Sequence, residues 1–166
     1  MLLFRFICAF LMAWGINWAM ARPEAATLSE DFPEFVLIAP FAAAYVGLQN
    51  LARRQGWGSV VAVANGIWAG VMTLGLSLLA YLFIKIVQTP QAGSFDADFL
   101  LRQIGEHAAD MIDAMASLPL LVICLGATTV VSLVTELIHW ALVHLRRLRG
   151  IKERNTRRAH RPSMYG

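Results

Sequence analysis

This sequence is short of charge. Of its 166 residues, 15% are Asp, Glu, Lys or Arg, where a soluble domain carries about a quarter. That shortage excludes a water-soluble fold with a fully polar surface. Lysine is scarcer still, at 2 residues against 12 Arg. Cysteine occurs twice, as Cys8 and Cys124, each inside an apolar run. A disulfide framework needs paired, accessible thiols, so these two are expected to act as small apolar side chains. No CxxC, HExxH, GxGxxG or P-loop pattern is present, so the signatures of redox, zinc-protease, dinucleotide and nucleotide-phosphate sites are all missing. No catalytic residue, cofactor or metal is expected.

What the sequence has instead is long apolar stretches. Hydrophobic residues make up 58% of it, and its mean hydropathy is +0.58. Roughly 20 apolar residues cross a hydrocarbon core. Four runs are long enough: residues 2–20, 35–52, 59–87 and 118–145. They leave no room for a soluble domain of useful size. The expected fold is therefore all-α: an integral membrane bundle of four transmembrane helices in residues 1–147. Residues 148–166 follow as a basic tail whose end is expected to be disordered, with Arg146 to about Arg154 a candidate continuation of the last helix past the bilayer.

The first run, LLFRFICAFLMAWGINWAM, has two readings. Ala19-Met20-Ala21 has the form of a signal-peptide cleavage site. Trp14, Asn17 and Trp18, however, suit a membrane interface better than a signal core, and a retained helix is the expected state. Residues 22–34, RPEAATLSEDFPE, read as a short acidic loop, with Pro33 set to open the next helix. The second run contains Pro40, which a membrane span tolerates, and closes on Arg53-Arg54. A tight RRQGWGS connection follows. The third run carries a small-residue stripe, Ala62, Gly66 and Gly70, in which Gly66 and Gly70 form a GxxxG that lets another helix approach closely. It is expected to pack inside the bundle, the sharper alternative being a homodimer or partner contact. Lys85 closes this run and is expected to snorkel to the interface.

Residues 95–116 change character. Phe95, Phe99, Ile104, Ala108, Met111, Ile112 and Met115 recur at helical spacing, with Asp96, Glu106, Asp110 and Asp113 mostly away from them. This spacing predicts an amphipathic interfacial helix, too polar to span, with Ser94 or Asp96 as its N-cap.

The charges are segregated. Eight of the 14 basic residues lie between Arg146 and Arg161, and nine of the 11 acids lie in 22–34 and 96–113. Basic residues near span ends mark the cytoplasmic side. Arg5, Arg53, Arg54, Arg146, Arg147 and Arg149 fall on one side of a four-span chain, and all of these but Arg5 are read as lipid-facing anchors. The acidic segments 22–34 and 95–116 fall on the other. Both termini are thus expected in the cytoplasm and the protein in a bacterial inner membrane. The bilayer is the expected partner. Nucleic acid is not, since no groove or stacking platform accompanies the arginines.

The last run holds the candidate polar site. Glu136 and His139 stand at i and i+3 on one helix face, among Thr128, Thr129, Ser132 and Thr135. A bare carboxylate in hydrocarbon costs several kcal/mol, so it faces the bundle interior or pairs. E-x-x-H is a ligand spacing of paired-carboxylate metal sites, but those need a second E-x-x-H, which is missing here. The expectation is interior pairing of Glu136 with Asn65, Arg53 or Arg54. Ion or proton handling by Glu136 and His139 is the alternative.

These parts together resemble a known family. They are an acidic, proline-containing first loop; a second span ending in Gly47 and Arg53-Arg54, followed by Gly56 and Gly58; a third span opening with Asn65-Gly66-Ile67; an acidic amphipathic segment from Asp96 to Met115; and a final span with Glu136 and Trp140 before arginines. In this arrangement residues 2–147 resemble the TrgA family of small bacterial inner-membrane proteins associated with tellurite resistance. The sequence departs from that pattern in lacking a tyrosine near Asp96, in having fewer glycines in the last span, and in its long tail. The resemblance implies a non-enzymatic membrane protein contributing to tellurite or envelope-stress tolerance, and it carries over no catalytic residue. Two other functions fit the residues: an accessory or assembly subunit docking through Gly66 and Gly70, and a small ion or proton carrier using Glu136 and His139.

Overall fold

Each of the four apolar runs becomes a helix, because in hydrocarbon a chain must satisfy its backbone N–H and C=O groups internally. The structure is a computed structural model that describes residues 2–54, 56–88 and 97–159. At positions 27, 97–100, 103, 118 and 149–159 it describes the backbone alone. The helices are α1 (Leu2–Met20), α2 (Ala26–Asp31), α3 (Pro33–Gln49), α4 (Ser59–Gln88), α5 (Ala97–Met115) and α6 (Leu118–Ala159). There is no strand among the described residues. Segments in α1, α3, α4 and α6 are long and apolar enough to cross a membrane, so the expected all-α bundle of four spans is what forms.

The four spans close into a ring in the order α1, α3, α4, α6, with α6 returning to α1. Small residues set the helix spacing. A side chain at Gly47 of α3 would come within 2.7 Å of the Cys8 carbonyl of α1. One at Gly66 of α4 would come within 2.5 Å of the Thr129 Cα of α6. Without a hydrophobic drive between helices in lipid, such close backbone approach is how spans gain packing energy. The face carrying Gly66 and Gly70 is buried and covered by α6 of the same chain. Cys8 and Cys124 are free and buried in this core.

Two elements differ from expectation. The acidic segment is not a plain loop: Pro23–Ala25 forms a 3-10 turn and Ala26–Asp31 a short helix. Buried Ala25 and Leu28 fasten it to the bundle. Helix α5 packs against α4 and α2 through buried Met111 and Met115, but Ile112 is exposed. At 100° per residue, Ile112 turns away from its neighbour Met111. Phe95, Asp96 and the proposed cap at Ser94 lie outside the described residues, as do the side chain of Phe99 and those of 149–159. The last helix does run on past residue 147, beyond the Arg154 to which the sequence extended it. It continues to Ala159, through residues that, Gly150 apart, include good helix formers such as Leu148, Lys152, Glu153 and Arg154. At 1.5 Å per residue its 42 residues measure roughly 63 Å, about twice a hydrocarbon core. Residues 160–166 of the expected tail lie outside the described residues.

The spans alternate in direction, so the charges separate by end. Arg5, Arg53, Arg54, Arg146 and Arg147 are exposed at one end. Glu24, Glu30, Asp31, Glu106, Asp110 and Asp113 are exposed at the other.

Candidate functional site

The connection between α3 and α4 has to reverse the chain within a few residues. After α3 it makes a 3-10 turn, Leu51–Arg53, and then two glycines take positive φ, +97° at Gly56 and +99° at Gly58. Residues with a side chain rarely adopt that region. This conformation turns both glycine N–H groups toward α6, where Glu136 waits. The Gly56 N–H donates to Glu136 Oε2 at 2.7 Å. The Gly58 N–H donates to Oε1 at 3.0 Å. One helical turn on, the Trp140 Nε1–H donates to the same Oε1 at 2.9 Å. Glu136 is 5% exposed, and its carboxylate accepts three N–H donors, which are stronger partners for an ion than for a neutral acceptor.

Glu136 is therefore buried and satisfied, but by other partners than Arg53, Arg54 or Asn65. Both arginine side chains are exposed. Asn65 acts on the same loop from the other side: its Nδ2 donates to the Arg54 carbonyl at 3.3 Å. The loop is thus held at a carbonyl by α4 and at two amides by α6. His139 does not join the carboxylate hydrogen bonds. Its ring stands against Gly56, with Nε2 3.0 Å from where a Cβ would be. It meets the Phe4 ring edge-on at a centroid distance of 5.7 Å. Sequence reasoning missed Gly56, Gly58 and Trp140 as partners of Glu136.

The hydroxyls of α6 are also committed. Thr128 donates to the Cys124 carbonyl at 3.1 Å and the Leu125 carbonyl at 3.0 Å. Thr129 donates to the Leu125 carbonyl at 2.7 Å and Thr135 to that of Ser132 at 2.9 Å. Ser132 crosses to α4, donating to the Ala62 carbonyl at 2.7 Å. No group of three His, Cys, Asp or Glu among the described residues is placed to hold a metal ion.

Compared with known protein families, curated proteins and solved structures, the chain matches none. What the site does is read from its geometry alone. A buried carboxylate that fastens a turn to a distant helix fixes the register of α6 against α3 and α4. A second polar contact lies at the opposite end, where Lys85 Nζ reaches Glu34 Oε1 at 2.9 Å and stands 5.3 Å from the Tyr81 ring centroid. Phe32 meets Tyr81 edge-on at 5.9 Å. Lys85 thus ties α4 to the start of α3 besides reaching toward the interface.

Proposed function

We propose that this chain is a non-enzymatic integral protein of the bacterial inner membrane that contributes to tellurite or envelope-stress tolerance. The observation that carries the non-enzymatic reading is the state of Glu136. Its oxygens already accept the Gly56, Gly58 and Trp140 N–H groups, and the neighbouring hydroxyls donate to backbone carbonyls. A carrier or catalyst needs a carboxylate that loads and unloads. This one is occupied as a fastening. Orientation follows from charge: Arg53, Arg54, Arg146 and Arg147 crowd one end, which by the positive-inside rule is the cytoplasmic one, together with both termini. The tellurite role is supported by the resemblance to the TrgA family. An accessory-subunit role would have to use the outer surface of the ring, since α6 covers Gly66 and Gly70.

The test is genetic. Deleting the gene is expected to lower the tellurite concentration at which growth stops, and the wild-type chain supplied from a plasmid is expected to restore it. Unchanged tolerance in the deletion strain would sink the reading. In strains carrying Glu136 variants, tolerance is expected to track the amount of protein in the membrane. Loss of tolerance at full abundance would instead make Glu136 a working group.

A further inference from the structure

Between α1 and α6 the outer surface of the bundle is cut by a groove of about 450 Å³, within the range of small-molecule sites. Trp14 and Trp18 of α1 form one wall, and Val122, Gly126 and Val130 of α6 line the other. Its lining is almost wholly apolar. Gly126 keeps it deep, since a Cβ there would meet nothing within 4 Å. From Val122 to Val130 the groove runs roughly 12 Å along α6 at the helical rise, most of one leaflet's hydrocarbon depth.

A cation stands at its mouth. The Arg22 guanidinium stacks on the Trp18 ring, 3.8 Å from the centroid. Trp14 and Trp18, at i and i+4, share one face of α1, and Arg22 reaches back over the Trp18 ring. Arg22 lies just beyond the end of α1 at Met20, the depth at which tryptophans meet headgroups. It is exposed and forms no ion pair among the described residues. Stacking uses the face of the guanidinium and leaves its N–H edge free for the bidentate geometry that matches phosphate. Glu24, Glu30 and Asp31 surround this end with negative charge and oppose an anion free in water. An anion tethered to a hydrocarbon chain gains from both the groove and Arg22. We infer that the groove holds one acyl chain of a phospholipid whose phosphate is bound by Arg22. This lipid site stands apart from any role in tellurite tolerance.

The test uses the full chain purified in dodecyl maltoside, supplied with phosphatidylglycerol and read by native mass spectrometry. One phosphatidylglycerol is expected to stay with each chain. Arg22→Gln, at an exposed residue that leaves the bundle intact, is expected to lower its retention about fivefold. Gly126→Leu fills the groove and is expected to abolish retention. Gly75→Leu, at another glycine where a Cβ meets nothing within 4 Å, is expected to leave it unchanged. Retention unmoved by both Arg22→Gln and Gly126→Leu would mean unspecific annular lipid and would overturn the assignment. A dimer that Gly126→Leu breaks apart would give the groove to a second copy and overturn it as well.

Discussion

A carboxylate held by three N–H donors is needed for its acceptors, not only for its size. Glu136→Gln keeps the shape but turns one oxygen into an NH₂ that faces a donor. It is expected to cost about 1–3 kcal/mol, the penalty for an unmade buried hydrogen bond, and to appear as a lower unfolding temperature of the solubilised protein. Gly56→Ala and Gly58→Ala each force a side chain into a positive-φ position, at roughly 1–3 kcal/mol. Gly56→Ala is expected to be the worse, because its Cβ also meets the His139 ring. Combining it with His139→Ala is expected to recover part of the loss, and strict additivity would place His139 elsewhere. Glu136 was visible in the sequence as a charge in a span. Its partners were not, because a backbone N–H carries no residue signature. Gly56 and Gly58 read only as turn residues, and the one legible clue was Trp140 at i+4.

Helices meet here where side chains are smallest. At Gly66 even a methyl group presses on the α6 backbone, so Gly66→Ala is expected to push α4 from α6 and destabilise by about 1–3 kcal/mol, as overpacking does. Gly75 lies on the same helix with open space around it. Gly75→Ala is expected to stabilise by about 0.5–1 kcal/mol through helix propensity alone. Equal thermal shifts in the two variants would mean that the contact of α4 with α6 is loose. The spans themselves were legible, since an apolar run of bilayer length has few other solutions. The small-residue stripe was legible too, but not which helix covers it. The weaker readings failed where one or two residues decide. Ala25 and Leu28 organise the acidic segment, and one residue separates buried Met111 from exposed Ile112.

At the scale of the molecule, charge and topology make one statement that can be checked directly. Single cysteines placed at Arg54, Glu30 and Glu106 sit at exposed positions of the two ends, while native Cys8 and Cys124 are buried. In intact spheroplasts an impermeant thiol reagent is expected to label the Glu30 and Glu106 variants, and to label the Arg54 variant only after lysis. The reverse pattern would invert the protein. The ring that joins these ends is closed by its first and last spans, and Gly15 of α1 meets Val131 of α6. Synthesis runs from the amino terminus, so α1, α3 and α4 are all made before this seam has its second side. Until then one flank of α1 waits against lipid, and the fastening of the α3–α4 turn waits for the same helix. The arrival of α6 therefore finishes both at once, and a chain interrupted before it is left with an open bundle and a loose turn.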